Sequence, residues 1–266
     1  LDHFTEEGGT LIASGSPPRL KSKNTETPGD SGAGILRCLG IRQVQNTLRN
    51  LLSPYFQVED PLRFQNLAES SLVYLEGDYI QAQYEPRANL YLKFIPPHNF
   101  GPPERCYYTE VTGFPGVVSH PFGEGLGVYI PWFPAAQFYR RGQLNTFRFL
   151  LDVLDHLARV PRIMGEFPGQ VEVSLAQNAQ GAVLLHLVNL SGHFGNTYHP
   201  PIRVKDLLIT IPWQGQAPAE GFSLVRQTPV ELTPSEHGLS VRLDWLDQLD
   251  VIRIDQVLRR ASMEGE

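Results

Sequence analysis

An α/β unit followed by a small antiparallel β-sandwich is the architecture the sequence predicts, and three observations predict it. Residues 113–160 read as strand, glycine-rich turn, strand, loop and a long amphipathic helix. Residues 1–14 read as a helix end, a Gly8-Gly9 stop and an apolar strand, the αβ step that builds parallel sheets. From Val171 onward, short runs of alternating apolar and polar residues recur with no helical period between them.

Residues 1–9 (LDHFTEEGG) have the form of a last helical turn, because glycine commonly follows a helix end. A chain that opens there, on Leu1 and not Met, is expected to continue a longer protein. Residues 10–14 (TLIAS) form the strand, and residues 15–34, rich in Gly, Pro, Ser and Thr, predict an exposed loop. Ile35, Leu36, Leu39 and Ile41 open a second apolar patch. Val44, Leu48, Leu51 and Leu52 continue at helical spacing up to Pro54, which predicts a helix. Residues 54–71 carry no pattern that assigns an element. Residues 72–75 and 79–83 are strand candidates flanking the turn Glu76-Gly77-Asp78, residues 90–95 alternate as another strand, and prolines within 96–103 break regular structure.

Strands are predicted at 117–119 and 126–131. Gly123, Gly125 and Gly127 crowd the turn between them, where positive φ costs glycine little. The following helix carries Leu144, Phe147, Leu150, Leu151, Leu154, Leu157 and Ala158 on its apolar stripe, with Arg148, Asp152, Asp155 and Arg159 off it. Asn145 is placed to cap this helix and Pro161 to stop it. Burying such a stripe contributes roughly 1.5–3 kcal/mol per large side chain, which docks the helix on a sheet. A linker is expected at 165–169, dividing the chain into an α/β domain (1–164), a sandwich (165–258) and a charged tail (259–266). In the sandwich, Val171, Val173 and Leu175 alternate with Glu172 and Ser174. Residues 183–190 make a nearly continuous apolar run, expected as a central strand; 207–211, 222–226, 239–243 and 251–254 complete the set.

The 266 residues suffice for two modest domains. A net charge of −6 excludes a broad basic surface for nucleic acid or anionic lipid, and local pairs such as Arg140-Arg141 and Arg259-Arg260 read as solvated faces. No apolar run reaches the roughly 18 residues of a membrane span. Two cysteines, Cys38 and Cys106, are too few for a disulfide framework and read as buried free thiols. Asn189-Leu190-Ser191 fits the glycosylation sequon, but with no sign of a secretory context it is read as chance. The compartment is left open, with the cytoplasm expected.

Several segments taken together, EEGGTLIASG, ILRCLGI, VVSHPFGEGLGVYIPW and VEVSLAQNAQGAVLLHLVNLSG, resemble the C-terminal part of certain glycoside hydrolases. In that family a catalytic barrel is followed by a glutamine-amidotransferase-like α/β domain, the beta-galactosidase trimerisation domain, and then by a β-sandwich. The resemblance implies a partial flavodoxin-like (amidotransferase-like) domain whose first half lies upstream, then a small antiparallel β-sandwich. It implies a non-catalytic portion of a beta-galactosidase-type protein, supporting oligomerisation and the active site of a barrel absent from this chain. The implied partners are that barrel, further copies of the chain, and carbohydrate. No catalytic residue and no cofactor carry over. A carbohydrate-binding module and a free-standing α/β hydrolase or amidotransferase are the alternatives.

An amidotransferase needs a cysteine on a sharp strand-to-helix elbow, and neither Cys38 nor Cys106 sits in one. Glycoside hydrolysis needs two facing carboxyl groups; Glu104, Glu110 and Glu124 read as loop carboxylates. His186, His193 and His199 match no metal-ligand spacing, so no metal is expected. His120 reads as a strand-end residue, with ligand contact as the sharper alternative. The Gly123 to Gly127 run precedes a strand and not a helix, so it is a hairpin turn and not a phosphate cradle. Trp132, Phe133, Phe138 and Tyr139 follow a strand C-terminus, where α/β sheets bind ligands. These four rings are the candidate sugar or interface contacts, against the plainer reading of packing on a neighbouring domain.

Overall fold

Glycine closes the first element. Helix α1 (Asp2–Glu6) ends at Glu7, Gly8 takes φ 103°, and the chain enters β1 (Thr10–Ser14). The computed structural model describes residues 1–17, 34–98, 101–102, 107–108, 110–213 and 219–256. The chain divides into two units, Leu1–Val160 and Pro161–Glu266. Cys106, Glu104, Arg259, Arg260 and the tail expected at 259–266 lie outside the described residues.

In the first unit β1 pairs in parallel with β8 (Gly125–Ile130), as the αβ step requires. The six-stranded sheet continues through β7 (Pro115–Phe122), β6 (Asn89–Ile95), β3 (Tyr55–Gln57) and β4 (Leu72–Tyr74), in the order β1-β8-β7-β6-β3-β4. All of these later pairings are antiparallel. Among the described residues the β1–β8 pair is thus what this sheet shares with a parallel doubly wound fold. Residues 54–71, which carried no pattern, supply β3, between β6 and β4.

The helix predicted from Val44 to Leu52 is instead a strand, β2 (Ile41–Leu51), laddered with β5 (Gly77–Tyr84). The register slips between Leu48 and Leu51, and Asn50 adopts φ 51°. This bulge restores the face of a residue three positions on, so helix-like spacing serves a strand. Val44 packs against one apolar cluster and Leu48 and Leu51 against another, while Leu52 is exposed. The strands β4 and β5, expected as neighbours across a turn, pair with β3 and β2 instead.

Alternate residues on a strand point to opposite faces, and both faces of this sheet are covered. Ile12, Val117, Val128 and Ile130 join the cluster of α3 (Leu144–Asp152). Leu11, Ala13, Val118 and Tyr129 join Cys38 and Leu39 of a 3-10 turn, Arg37–Leu39, with Ile41 and Ala82 of the ribbon. The α3 stripe is rotated from the expected one. Thr146, Phe149 and Asp152 are buried, while Leu144 and Phe147 are exposed. Gln143, not Asn145, precedes the helix, and Asn145 Nδ2 instead donates to the Leu72 carbonyl. The helix continues as a π-helical turn, Val153–Leu157, and ends before Pro161.

Two turn glycines have a different duty. The turn is made by Gly123, at φ 61°. Gly125 and Gly127 lie in β8, where an added Cβ would meet the Thr5 carbonyl oxygen at 2.1 Å and the Cys38 carbonyl oxygen at 1.8 Å. They are required by backbone approach and not by turn geometry.

The second unit is antiparallel throughout its described pairings. Its eight-stranded curled sheet runs β10 (Val171–Gln177), β11 (Val183–Asn189), β18 (Leu249–Gln256), β15 (Ala219–Ser223), β16 (Thr228–Ser235), β17 (Gly238–Leu246), β14 (Val204–Ile211), β9 (Met164–Glu166). The first residues of β16 pair with β15 and the later ones with β17, so this strand carries the curl. It carries Pro229 and Pro234, residues that in sequence demote a strand reading. Residues 224–226, expected as strand, are in the turn before it. A separate two-stranded hairpin, β12 (His193–Phe194) and β13 (Thr197–Tyr198), projects exposed rings.

Candidate functional site

Of the four rings singled out in the sequence, one lies in the core. Trp132 has no exposure; its ring packs between Phe56 and Phe149, at 5.2 and 5.3 Å between centroids. Its Nε1 donates to the Gly116 carbonyl at 2.9 Å, which satisfies the one polar atom a buried indole carries. Phe138 stacks on Phe147, Phe133 is part-exposed, and Tyr139 is 91% exposed. The short helix bearing them, α2 (Pro134–Arg141), is pinned by Gln137, buried to 1%. Gln137 Oε1 accepts from the Glu76 N–H, and Nε2 donates to the Tyr74 carbonyl and to Gln143 Oε1. Trp132 is therefore core and offers no surface to a ligand, while Phe133 and Tyr139 keep exposed ring surface.

Cys38 is buried in the 3-10 turn, and burial, then the hydrogen bond to Asp2, pushes its thiol up to about 11. A thiol so placed stays protonated and is no nucleophile near neutral pH. The turn is held by Asp2, whose Oδ1 accepts the Cys38 N–H at 2.9 Å and Oδ2 the Arg37 N–H at 3.2 Å. Burial opposes ionisation of Asp2, yet these bonds outweigh it and hold the carboxyl below its usual value. His120 is buried, with Nδ1 3.2 Å from the Cys38 carbonyl, and its ring fills the space that a Cβ on Gly40 would take. Cys38 and His120 therefore share backbone packing and not a proton relay. Glu110 and Glu124 are exposed. Among the described residues no cluster of His, Cys, Asp and Glu could hold a metal ion, and no helix is long and apolar enough to cross a membrane.

A polar groove of about 440 Å³ lies where α3 gives out. Asp60, Arg63, Gln65, His156 and Arg159 line it. Beneath it Asp152 has no exposed side-chain surface. Its Oδ1 accepts the Asn66 N–H at 2.9 Å and Asn66 Nδ2 at 2.8 Å, and Oδ2 accepts the Leu67 N–H at 3.2 Å. These donors belong to a second 3-10 turn, Gln65–Leu67, so the carboxylate joins segments 86 positions apart in sequence. His156 Nε2 stands 3.7 Å from Oδ1. Burial pushes the Asp152 carboxyl up, and the Asn66 and Leu67 donors only partly offset it. Arg159 closes the segment at φ 51°, an uncommon conformation for a side-chain-bearing residue. Arg63 Nε lies 3.5 Å from Asp60 Oδ2, and its Cζ sits 5.2 Å from the centre of the Tyr91 ring. A general acid must reach a substrate proton. Asp152 instead spends both oxygens on the protein, so the groove is an ordered polar surface over a structural carboxylate. The sequence placed Asp152 on the solvent side; its distant partner Asn66 left no local signal.

The fold is one found within glycoside hydrolases. Alpha-L-fucosidase isoenzyme 2 from Paenibacillus thiaminolyticus matches with a TM-score of 0.68 and 15% identity, over 96% of this chain and 38% of that one. Gan42B, a GH42 beta-galactosidase from G. stearothermophilus, matches at 0.51 and 14%, over 96% and 29%. The beta-galactosidase from Rahnella sp. R3 matches at 0.50 and 12%, over 95% and 29%. This chain thus spans less than two fifths of these enzymes. No protein-family model and no curated protein matches the sequence.

Proposed function

We propose that this chain is a non-catalytic portion of a glycoside-hydrolase-like protein of the beta-galactosidase type. Its first unit stands where such proteins carry the amidotransferase-like, flavodoxin-like trimerisation domain, and its second unit is the sandwich that follows. Its work is to support oligomerisation and to shape the active site of a catalytic barrel. One observation carries the reading: nearly the whole chain aligns in fold with a minor part of each glycoside hydrolase. The buried, fully engaged Asp152 and the desolvated Cys38 are in keeping with it, since both serve the fold.

The test is an assay of the purified chain on nitrophenyl galactosides and fucosides, with its mass in solution measured by light scattering. No turnover and an assembly larger than one chain are expected. Glycoside turnover by this chain alone overturns the reading, and a monomer at all concentrations removes its oligomerisation part.

A further inference from the structure

We infer that the first unit carries a phosphate-binding recess beside the Arg37–Leu39 turn, with His120 in its wall and Arg37 and Arg42 flanking it. The recess measures about 350 Å³, at the small end of the roughly 300–1,000 Å³ typical of ligand sites. Ile35, Ile41 and Phe122 give it an apolar side; Arg37, Arg42, Glu85 and His120 give it a polar one.

His120 is only 7% exposed, yet one of its ring nitrogens is unused. Its Cβ, Cγ and Cδ2 lie against Gly40, and Nδ1 is 3.2 Å from the Cys38 carbonyl. That leaves the Cε1–Nε2 edge to meet the recess. A carbonyl only accepts, so Nδ1 carries the proton and Nε2 holds a lone pair. Nε2 has no hydrogen-bond partner among the described residues. A polar atom so nearly buried is costly to leave unpaired, and the recess is where a partner reaches it.

The two guanidinium groups are also unspent. The nearest carboxylate oxygens, Asp2 Oδ2 to Arg37 and Glu85 Oε1 to Arg42, stand 3.7 and 3.6 Å away, too far for hydrogen bonds. Asp2 is instead committed to the N–H groups of Cys38 and Arg37. Arg37 Cζ lies 5.4 Å from the centre of the Phe122 ring, which orients the guanidinium without using its N–H donors. Within the recess two guanidinium groups face one carboxylate, Glu85, so an anion is favoured. Phosphate suits the whole set. Its ionised oxygens accept from both arginines, and because its second proton titrates near neutral pH it also supplies an O–H to Nε2. An ionised carboxylate has no such proton to give. A short organic group on the phosphate would lie on the Ile35, Ile41 and Phe122 side. Nothing in this set of groups depends on the glycoside-hydrolase reading.

The intact chain is titrated by calorimetry with inorganic phosphate, phenyl phosphate and acetate. Saturable binding of a phosphate is expected, with acetate at least about tenfold weaker. Tighter binding of phenyl phosphate identifies a phosphomonoester as the ligand, and equal binding identifies the free ion. Arg42→Ala should weaken binding about tenfold and His120→Gln by about two- to tenfold, while Arg140→Ala, an exposed charge outside the recess, should leave it unchanged. The His120 imidazole signals in ¹H–¹⁵N spectra should move as phosphate is added. Circular dichroism checks that each variant is folded. Should His120→Gln fail to fold, Arg42→Ala, at an exposed position, decides alone. Unchanged affinity in Arg42→Ala overturns the proposal, as does equal binding of acetate or no binding of either phosphate.

Discussion

The two units bury their cores in different materials. In the first, Trp132, Tyr79, Phe56, Phe64, Phe94 and Phe149 are all buried, with Tyr79 stacked on Phe94 at 4.4 Å. In the second, the buried cluster from Val171 to Ile254 is built of Val, Leu and Ile. Rings bridge the gap between a sheet and the helix lying on it, whereas facing strands interdigitate with branched aliphatic residues. The buried aspartates differ in the same way. Asp152 is met by N–H groups of neutral residues, with His156 Nε2 3.7 Å away; Asp250 is met by a hydroxyl, an N–H and a permanent guanidinium. Large rings set among aliphatic side chains fill the first unit's core. Smaller side chains and a fixed ion pair hold the second.

The largest effect should come from removing a ring. Trp132→Ala is expected to cost about 3–5 kcal/mol, through cavity and transfer terms and an orphaned Gly116 carbonyl. Leu187→Ala, at an equally buried site of the aliphatic core, should sit lower in the roughly 2–5 kcal/mol range, since neighbours of similar size can close in. Urea unfolding of both variants measures the contrast, and equal losses would dissolve it. Next, Asp250→Ala leaves Arg226, 17% exposed, without its carboxylate, and about 3 kcal/mol should be lost. Gly127→Ala drives a Cβ into the Cys38 carbonyl and should cost about 1–3 kcal/mol or more by overpacking, seen as faster amide exchange in β8.

Asp152 supplies the pH test. Its carboxyl is raised above the ordinary 3.8, so the native state holds that proton more tightly than the unfolded chain does. The stability this contributes is complete below the unfolded value and is lost as pH rises through the native one. Asp152→Asn should flatten that decline when unfolding is followed from about pH 4 to 6. A wild-type curve that rises across this window, with the variant's flat, would reverse the assignment. The smallest effect is one of rate. Cys38, raised to about 11, should resist iodoacetamide at neutral pH in the native protein and react on unfolding, as read by peptide mass spectrometry.

Part of the site is invisible to the sequence. Asp152 reads as a solvent-facing residue because its donors sit far along the chain, at Asn66 and Leu67. Trp132 misled in the opposite direction. An indole after a strand end has the pattern of a ligand platform, and only Phe56, Phe149 and the Gly116 carbonyl make it core.

Local pattern alone determined the glycine stop before β1, the helical nature of residues 144–157, the alternating strands at 171–175 and 207–211, and the strand in the apolar run at 183–190. Each depends on conformational cost or side-chain period within a dozen residues. Tertiary structure decided the rest. It made β2 a strand, because β5 supplied the ladder that apolar spacing could not specify. It turned α3 so that Phe149 and Asp152 face inward, and it assigned Gly125 and Gly127 to backbone contact. In every one of these the deciding partner lies far along the chain, and burial energy, not local propensity, selects the outcome.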